Sequence, residues 1–223
     1  MHLAGIRCLF EGLVYQDHIV QLYSAVALAN IASNLIHRKK LVQAGIMERA
    51  FRVASNKELE DECRISALCC LSHLAATPEM HHLFHPFVPR LMSYLEEPAI
   101  LFVQNTAVIL HNLSCNRAMW LTLMNNRVIT ATGKMLSSQS ANIQAQLHML
   151  RILENIGIED KIRVEISKSG ILEVTTELMQ VTTSANLRTE LIFLYSILTA
   201  SRVSHSFLMT TPNSLKTILM LLE

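Results

Sequence analysis

Polar and apolar positions alternate along this chain in a pattern that repeats. Leu28-Ala29-Asn30-Ile31 sets two branched apolar residues three apart, with a small or polar residue just before the second. The quartet returns as Leu71-Ser72-His73-Leu74, Leu110-His111-Asn112-Leu113, Leu153-Glu154-Asn155-Ile156 and Leu194-Tyr195-Ser196-Ile197. Successive leading leucines are 43, 39, 43 and 41 residues apart. A second marker keeps the same beat, namely the turn expected before a following helix: Gly5, Gly45, Pro86, Asn126, Gly170 and Thr211-Pro212. Two markers in register at a period of about forty predict a solenoid of helices. Each unit of such an array buries its apolar face only against its neighbours.

Taken in order, the pattern predicts a helix over Ile6 to Val14 and a longer one over Ile19 to Ser33, with Asp17 capping the second. From Leu35 a short helix runs to Ala44, Gly45 supplies a turn that favours positive φ, and a helix runs to Ala54. A long helix is expected from about Glu58 to Ala76, entered through a Ser55/Glu58 capping box. Thr77-Pro78 opens the next unit as cap and first-turn proline, Pro86 and Pro89 mark its internal turn, and its long helix starts after Pro98. Trp120 falls in a short first helix, and Ser140 is expected to cap a long helix from Ala141 to about Gly157. The next unit runs from Glu159 through Gly170 to a long helix over Ala185 to Ala200, and Thr211-Pro212 opens a final helix. The expected organisation is one solenoid: a partial repeat over 1–34, full repeats over 35–77, 78–116, 117–158 and 159–200, and a partial repeat over 201–223.

Short helix, glycine, medium helix, then a long helix carrying Leu-x-Asn-Ile/Leu-Ala/Ser: this order resembles the armadillo repeat of beta-catenin and importin alpha. Ala27-Leu28-Ala29-Asn30-Ile31-Ala32-Ser33 with Val42-Gln43-Ala44-Gly45-Ile46 carries the resemblance best, and Asn112 and Asn155 repeat its central feature. HEAT repeats share the length range and stand as the alternative; tetratricopeptide repeats have a shorter period. The resemblance implies an all-α, right-handed superhelical solenoid with a concave groove lined by third helices, where one asparagine per repeat grips the backbone of an extended peptide. On this chain that ladder is Asn30, His73, Asn112, Asn155 and Ser196. An amide donates and accepts at once, which suits a peptide backbone of any sequence.

Positions four and seven before each rung share its helix face. They add Tyr23 and Val26, Ser66 and Cys69, Asn105 and Val108, His148 and Arg151, and Thr189 and Ile192. In importin alpha the position four before the asparagine is typically tryptophan. Here Val26, Cys69, Val108, Arg151 and Ile192 occupy it, and Arg151 would repel a basic cargo. The expected ligand is therefore an extended peptide or an amphipathic helix with a few aliphatic anchors. The function that follows is a non-catalytic scaffold or adaptor. The alternative is a structural segment of a larger protein, its grooves and ends filled by neighbouring parts.

Composition narrows this further. Apolar residues make up 51% of 223, with 6 glycines and 5 prolines, which excludes a disordered chain. The net charge of +1 supplies no field to gather nucleic acid, and the partner expected is the protein that the resemblance implies. Cys8, Cys63, Cys69, Cys70 and Cys115 form no Cys-x-x-Cys pair and read as reduced, small core side chains of a cytoplasmic or nuclear protein. No apolar run reaches the ~20 residues of a membrane span. His81, His82 and His85 read as surface histidines rather than metal ligands, and His37-Arg38-Lys39-Lys40 as a solvated helix face. No motif carries catalysis, and no cofactor or metal is implied. Leu3, Ile6 and Leu9, and Ile218, Leu219, Leu221 and Leu222, look uncapped, which raises self-association through the ends.

Overall fold

The computed structural model describes residues 3–138, 142–200 and 202–211, and every regular element among them is helical. The chain divides into two compact units, 1–113 and 114–223. In unit 1, α1 (Leu3–Gly12), α2 (His18–Ser33), α3 (Leu35–Gln43), α4 (Ile46–Ser55) and α5 (Asp61–Ala75) are followed by a 3-10 segment (Pro78–Phe87), α6 (Val88–Tyr94) and α7 (Ile100–Ser114). Unit 2 holds α8 (Arg117–Asn125), α9 (Val128–Ser137), α10 (Ile143–Ile156), α11 (Asp160–Lys168), α12 (Ile171–Val181), α13 (Ala185–Thr199) and α14 (Arg202–Thr210).

Within unit 1 the long helices α2 and α5 lie against each other, and α4 packs on α5. Within unit 2, α10 and α13 do the same, with α9 on both α10 and α12. The quartets explain this packing. Leu28, Leu71 and Leu74 supply buried branched side chains where α2 meets α5, and Leu153, Ile156 and Leu194 do so where α10 meets α13; Leu110 and Leu113 of α7 are buried too, while the quartet residues Ile31 and Ile197 are half-buried. Phe51 stacks on Phe87 with centroids 4.0 Å apart and meets Phe84 edge-on, which ties α4 to the 3-10 segment.

A side-chain device recurs at the end of each long helix. A carbonyl at its C-terminal end accepts a hydrogen bond from the side chain six residues later, in the next first helix. Arg38 Nε donates to Ala32 O (2.8 Å), His81 Nε2 to Ala75 O (2.7 Å), and Trp120 Nε1 to Ser114 O (2.6 Å). Arg163 Nε donates to Gly157 O (2.9 Å) and His205 Nε2 to Thr199 O (2.6 Å). His81 is thus buried rather than a surface histidine, and Arg38 turns inward from its basic run to bind Thr77 Oγ1 at 2.8 Å as well.

Several local expectations are corrected. Gly5 lies inside α1 and is no turn, and Ile6 is fully buried rather than an uncapped apolar end. The Ser55/Glu58 capping box does not form. Ser55 ends α4, donates to Phe51 O and meets the Tyr94 hydroxyl, while α5 begins at Asp61 with no side-chain cap. Thr77 likewise makes no cap bond, because its hydroxyl is taken by Arg38, and the segment after Pro78 is 3-10 rather than α. Pro89 sits in the first turn of α6 instead of in the turn before it. The turn expected at Asn126 falls on Arg127, which takes φ of 60° where Gly45 and Gly170 take 87° and 82°. Cys8 and Cys115 are exposed, unlike the buried Cys63 and Cys70. Asp17 caps α2 as expected, accepting from Ile19 N (2.8 Å) and Val20 N (3.1 Å). Ser140, Pro212 and the apolar residues from Ile218 to Leu222 lie outside the described residues.

Candidate functional site

The residues singled out on the long helices occupy one kind of position. Tyr23, Val26 and Asn30 on α2, Ser66, Cys69 and His73 on α5, and Asn105, Val108 and Asn112 on α7 are exposed or half-buried, while the leading leucines of their quartets, Leu28, Leu71 and Leu110, are buried. The same holds in unit 2 for His148, Arg151 and Asn155 on α10 and for Thr189, Ile192 and Ser196 on α13. Residues spaced by three and four share a helix face, so each long helix carries an open stripe opposite its packed edge.

Unit 1 holds the more apolar stripe. Tyr23 is 67% exposed and Ile19, one turn before it, 65% exposed, so α2 offers two large side chains to solvent. Among the described residues the side-chain amides of Asn30 and Asn112 bond to nothing. His73 Nε2 faces Cys69 Sγ at 3.7 Å, and burial with the Arg38 charge lowers its pKa below the usual value, which favours the neutral ring. Asn105 differs, since its amide donates to Leu101 O within its own helix at 2.9 Å.

Unit 2 is charged. Asn155 Nδ2 is engaged, donating to Ser114 Oγ (2.8 Å) and Cys115 Sγ (3.4 Å), and Ser196 Oγ donates to Phe193 O of its own helix (2.7 Å). Arg151 is no isolated cation. Its Nε and Nη2 both reach Glu190 Oε1 on α13, the nearer at 2.5 Å. Beside this pair Glu154 is buried, and its carboxyl is pushed up to about 8, first by burial and then by the Glu190 charge and hydrogen bond. His148 shifts the other way, lowered by burial and by Arg151 against the pull of Glu190. Sequence reasoning missed Glu190 and Glu154. The signal available was spacing alone, Glu190 lying 39 residues after Arg151, close to one repeat.

Two arginines are buried at the ends of helices, each bound to a backbone carbonyl and a carboxylate. Arg64 donates to Ala54 O, pairs with Asp61 and Glu97 and lies over the Phe102 ring at 4.6 Å. Burial alone would raise the Glu97 carboxyl, but the Lys57 hydrogen bond and the Arg64 charge outweigh it and hold the pKa below the usual range. Arg163 repeats the arrangement in unit 2 with Asp160. Among the described residues no group of histidine, cysteine and carboxylate side chains is placed to hold a metal, and no helix is long and apolar enough to cross a membrane.

Layers of helices whose longest member packs along one edge and opens a polar-to-apolar stripe on another define an α-helical repeat scaffold. The chain belongs to the Armadillo-like family, whose model matches residues 2–179. Solved structures of the same fold include a computationally designed armadillo repeat protein for modular peptide recognition. It has a TM-score of 0.78 and 15% identity over 88% of this chain and 83% of that one. A second designed armadillo repeat protein reaches a TM-score of 0.80 at 14% identity, covering 94% and 87%. A third, solved in complex with the peptide (KR)4, gives 0.75 at 14% identity, with 95% of each chain covered. No curated protein matches the sequence. The armadillo repeat fold is in general a non-catalytic scaffold.

Proposed function

We propose that this chain is a non-catalytic interaction module whose long-helix stripes take up an extended peptide or an amphipathic helix from a partner protein. The observation that carries this reading is the state of Asn30 and Asn112. Asn30 is exposed and Asn112 half-buried, and the amide of each is without a protein partner among the described residues. Tyr23, Ile19, Val26 and Val108 lie on the same stripes as apolar anchors. The designed relatives support the reading in kind, since one was made for peptide recognition and another was solved with a peptide. Asn155 contributes less to this role, because Ser114 and Cys115 already take its amide.

Peptides selected from a random display library against the chain provide the test. Each lost backbone bond is worth ~0.5 to 1.5 kcal/mol. Asn30→Ala with Asn112→Ala should therefore weaken a selected peptide roughly tenfold, while Asn155→Ala alone should change little. Unchanged affinity in the double variant would place the binding face elsewhere.

A further inference from the structure

A different face of unit 1 carries a second recognition chemistry. It is built by the shorter helices α1, α4 and α6, and arginine dominates it. Arg7, Phe10, Leu13, Val14, Arg49, Arg52 and Val53 line a cleft of about 450 Å3 between α1 and α4, with Glu11 at its side. Arg52 also borders a neighbouring cleft of about 400 Å3, which Arg90, Glu48, Ser55 and Asn56 complete. Four guanidinium groups therefore face two carboxylates, and neither Glu11 nor Glu48 forms an ion pair with them among the described residues.

Two of these arginines are held in place. Arg49 lies over the Phe10 ring at 4.5 Å and donates to Gly45 O at 3.0 Å, and Arg90 lies 5.8 Å from the Phe87 centroid and 6.0 Å from that of Phe51. The other two, Arg7 and Arg52, are exposed and unpaired among the described residues. A stacked guanidinium keeps its edge free, and its planar fork matches a carboxylate in a bidentate pair. Below the arginines, Phe10, Leu13 and Val53 form a closed apolar floor, and Val14 stands 72% exposed at the rim.

The geometry points to a docking site for an acidic segment of a partner protein, with one aliphatic side chain seated between α1 and α4 and flanking carboxylates on Arg7, Arg52 and Arg90. Charge complementarity selects this occupant. A basic segment would meet four like charges, and a purely apolar one would leave the guanidinium groups without counter-charges. Exposed ion pairs are screened by salt, so binding should weaken as ionic strength rises, whereas an uncharged ligand on the long-helix stripes should be far less sensitive.

The test is fluorescence anisotropy on the full chain with a labelled short peptide of alternating Asp and Glu around a central leucine. Saturable binding is expected at low salt, and a Lys/Arg peptide of equal length should not bind. Arg7→Glu with Arg52→Glu should weaken the acidic probe about tenfold or more, as loss of two charge-assisted contacts implies. Arg7→Gln with Arg52→Gln should give a smaller loss in the same direction, and both pairs should melt like the parent because the side chains are exposed. Replacing the central leucine of the probe by serine should weaken it several-fold, and Asn30→Ala with Asn112→Ala should leave it unchanged. Absence of saturable binding at low salt would overturn the proposal. So would equal affinity for the arginine variants, or for the serine probe, which would mark a diffuse anion field without a built cleft.

Discussion

Five side chains, Arg38, His81, Trp120, Arg163 and His205, do one job with three different chemistries: each offers an N–H to a carbonyl at the C-terminal end of the preceding long helix. Arg38 and Arg163 each make two further bonds, and Arg163, which also donates to Ile158 O and pairs with Asp160, is the more buried of the two. Arg163→Met should leave two carbonyls without their donor and cost ~2 to 3 kcal/mol, whereas Trp120→Phe loses a single neutral bond and should cost ~0.5 to 1.5 kcal/mol. Urea unfolding of the two variants measures both. Glu154 and His148 contribute to the pH dependence in opposite directions. Glu154, held near 8 against an ordinary 4.5, keeps its proton in the folded chain where the unfolded chain has lost it, so stability falls as pH rises through that window. His148, lowered from 6.5, works in reverse and removes stability as pH falls below that value. In the parent, Glu154 should make the melting temperature decline between about pH 4.5 and about pH 8, and Glu154→Gln should remove that part of the decline. None of this was legible from residue types. A histidine and an arginine in polar runs suggest solvent, and only the packed neighbours reveal that each is aimed at a carbonyl. The six-residue offset does recur in the sequence, but arginine, histidine and tryptophan share only an N–H, so no identity match exposes it.

At the scale of elements, the long helices were readable because their quartets must bury branched side chains on one edge, and that requirement leaves a regular mark. Turns and caps left weaker marks. Ser55 had the spacing of a capping box, yet its hydroxyl found Phe51 O and Tyr94 instead, which only the partner helix could decide. Gly45 and Gly170 were legible as left-handed turn residues, while the equivalent place in the third unit went to Arg127, one residue past the expected Asn126. A non-glycine residue in that conformation costs ~1 kcal/mol or more. Arg127→Gly should therefore stabilise the chain by ~0.5 to 1 kcal/mol, and Gly170→Ala should destabilise it by ~1 to 2 kcal/mol. Thermal and urea unfolding should move in opposite directions for these two variants. A rise in stability for Gly170→Ala would mean that its φ of 82° is not enforced by the turn.

For the whole molecule, the forty-residue rhythm carried the fold class, and the family match and the designed armadillo structures agree with it. The stripe residues were legible as a set because helical geometry alone puts them on one face of each long helix. Their chemistry was not, since the partners of Arg151 and Asn155 come from other helices, about one repeat away in sequence. That division leaves unit 1 with free amides and exposed anchors and unit 2 with a neutralised charge cluster, so the account rests most heavily on α2, α5 and α7. Site-specific photo-crosslinking tests it most directly, with a photoreactive side chain placed in turn at Tyr23, Cys69 and Val108, and at the exposed Leu121 as a reference. A library-selected peptide should crosslink from the three stripe positions and not from Leu121. Crosslinks from Leu121 alone, or from none of the stripe positions at saturating peptide, would contradict the account.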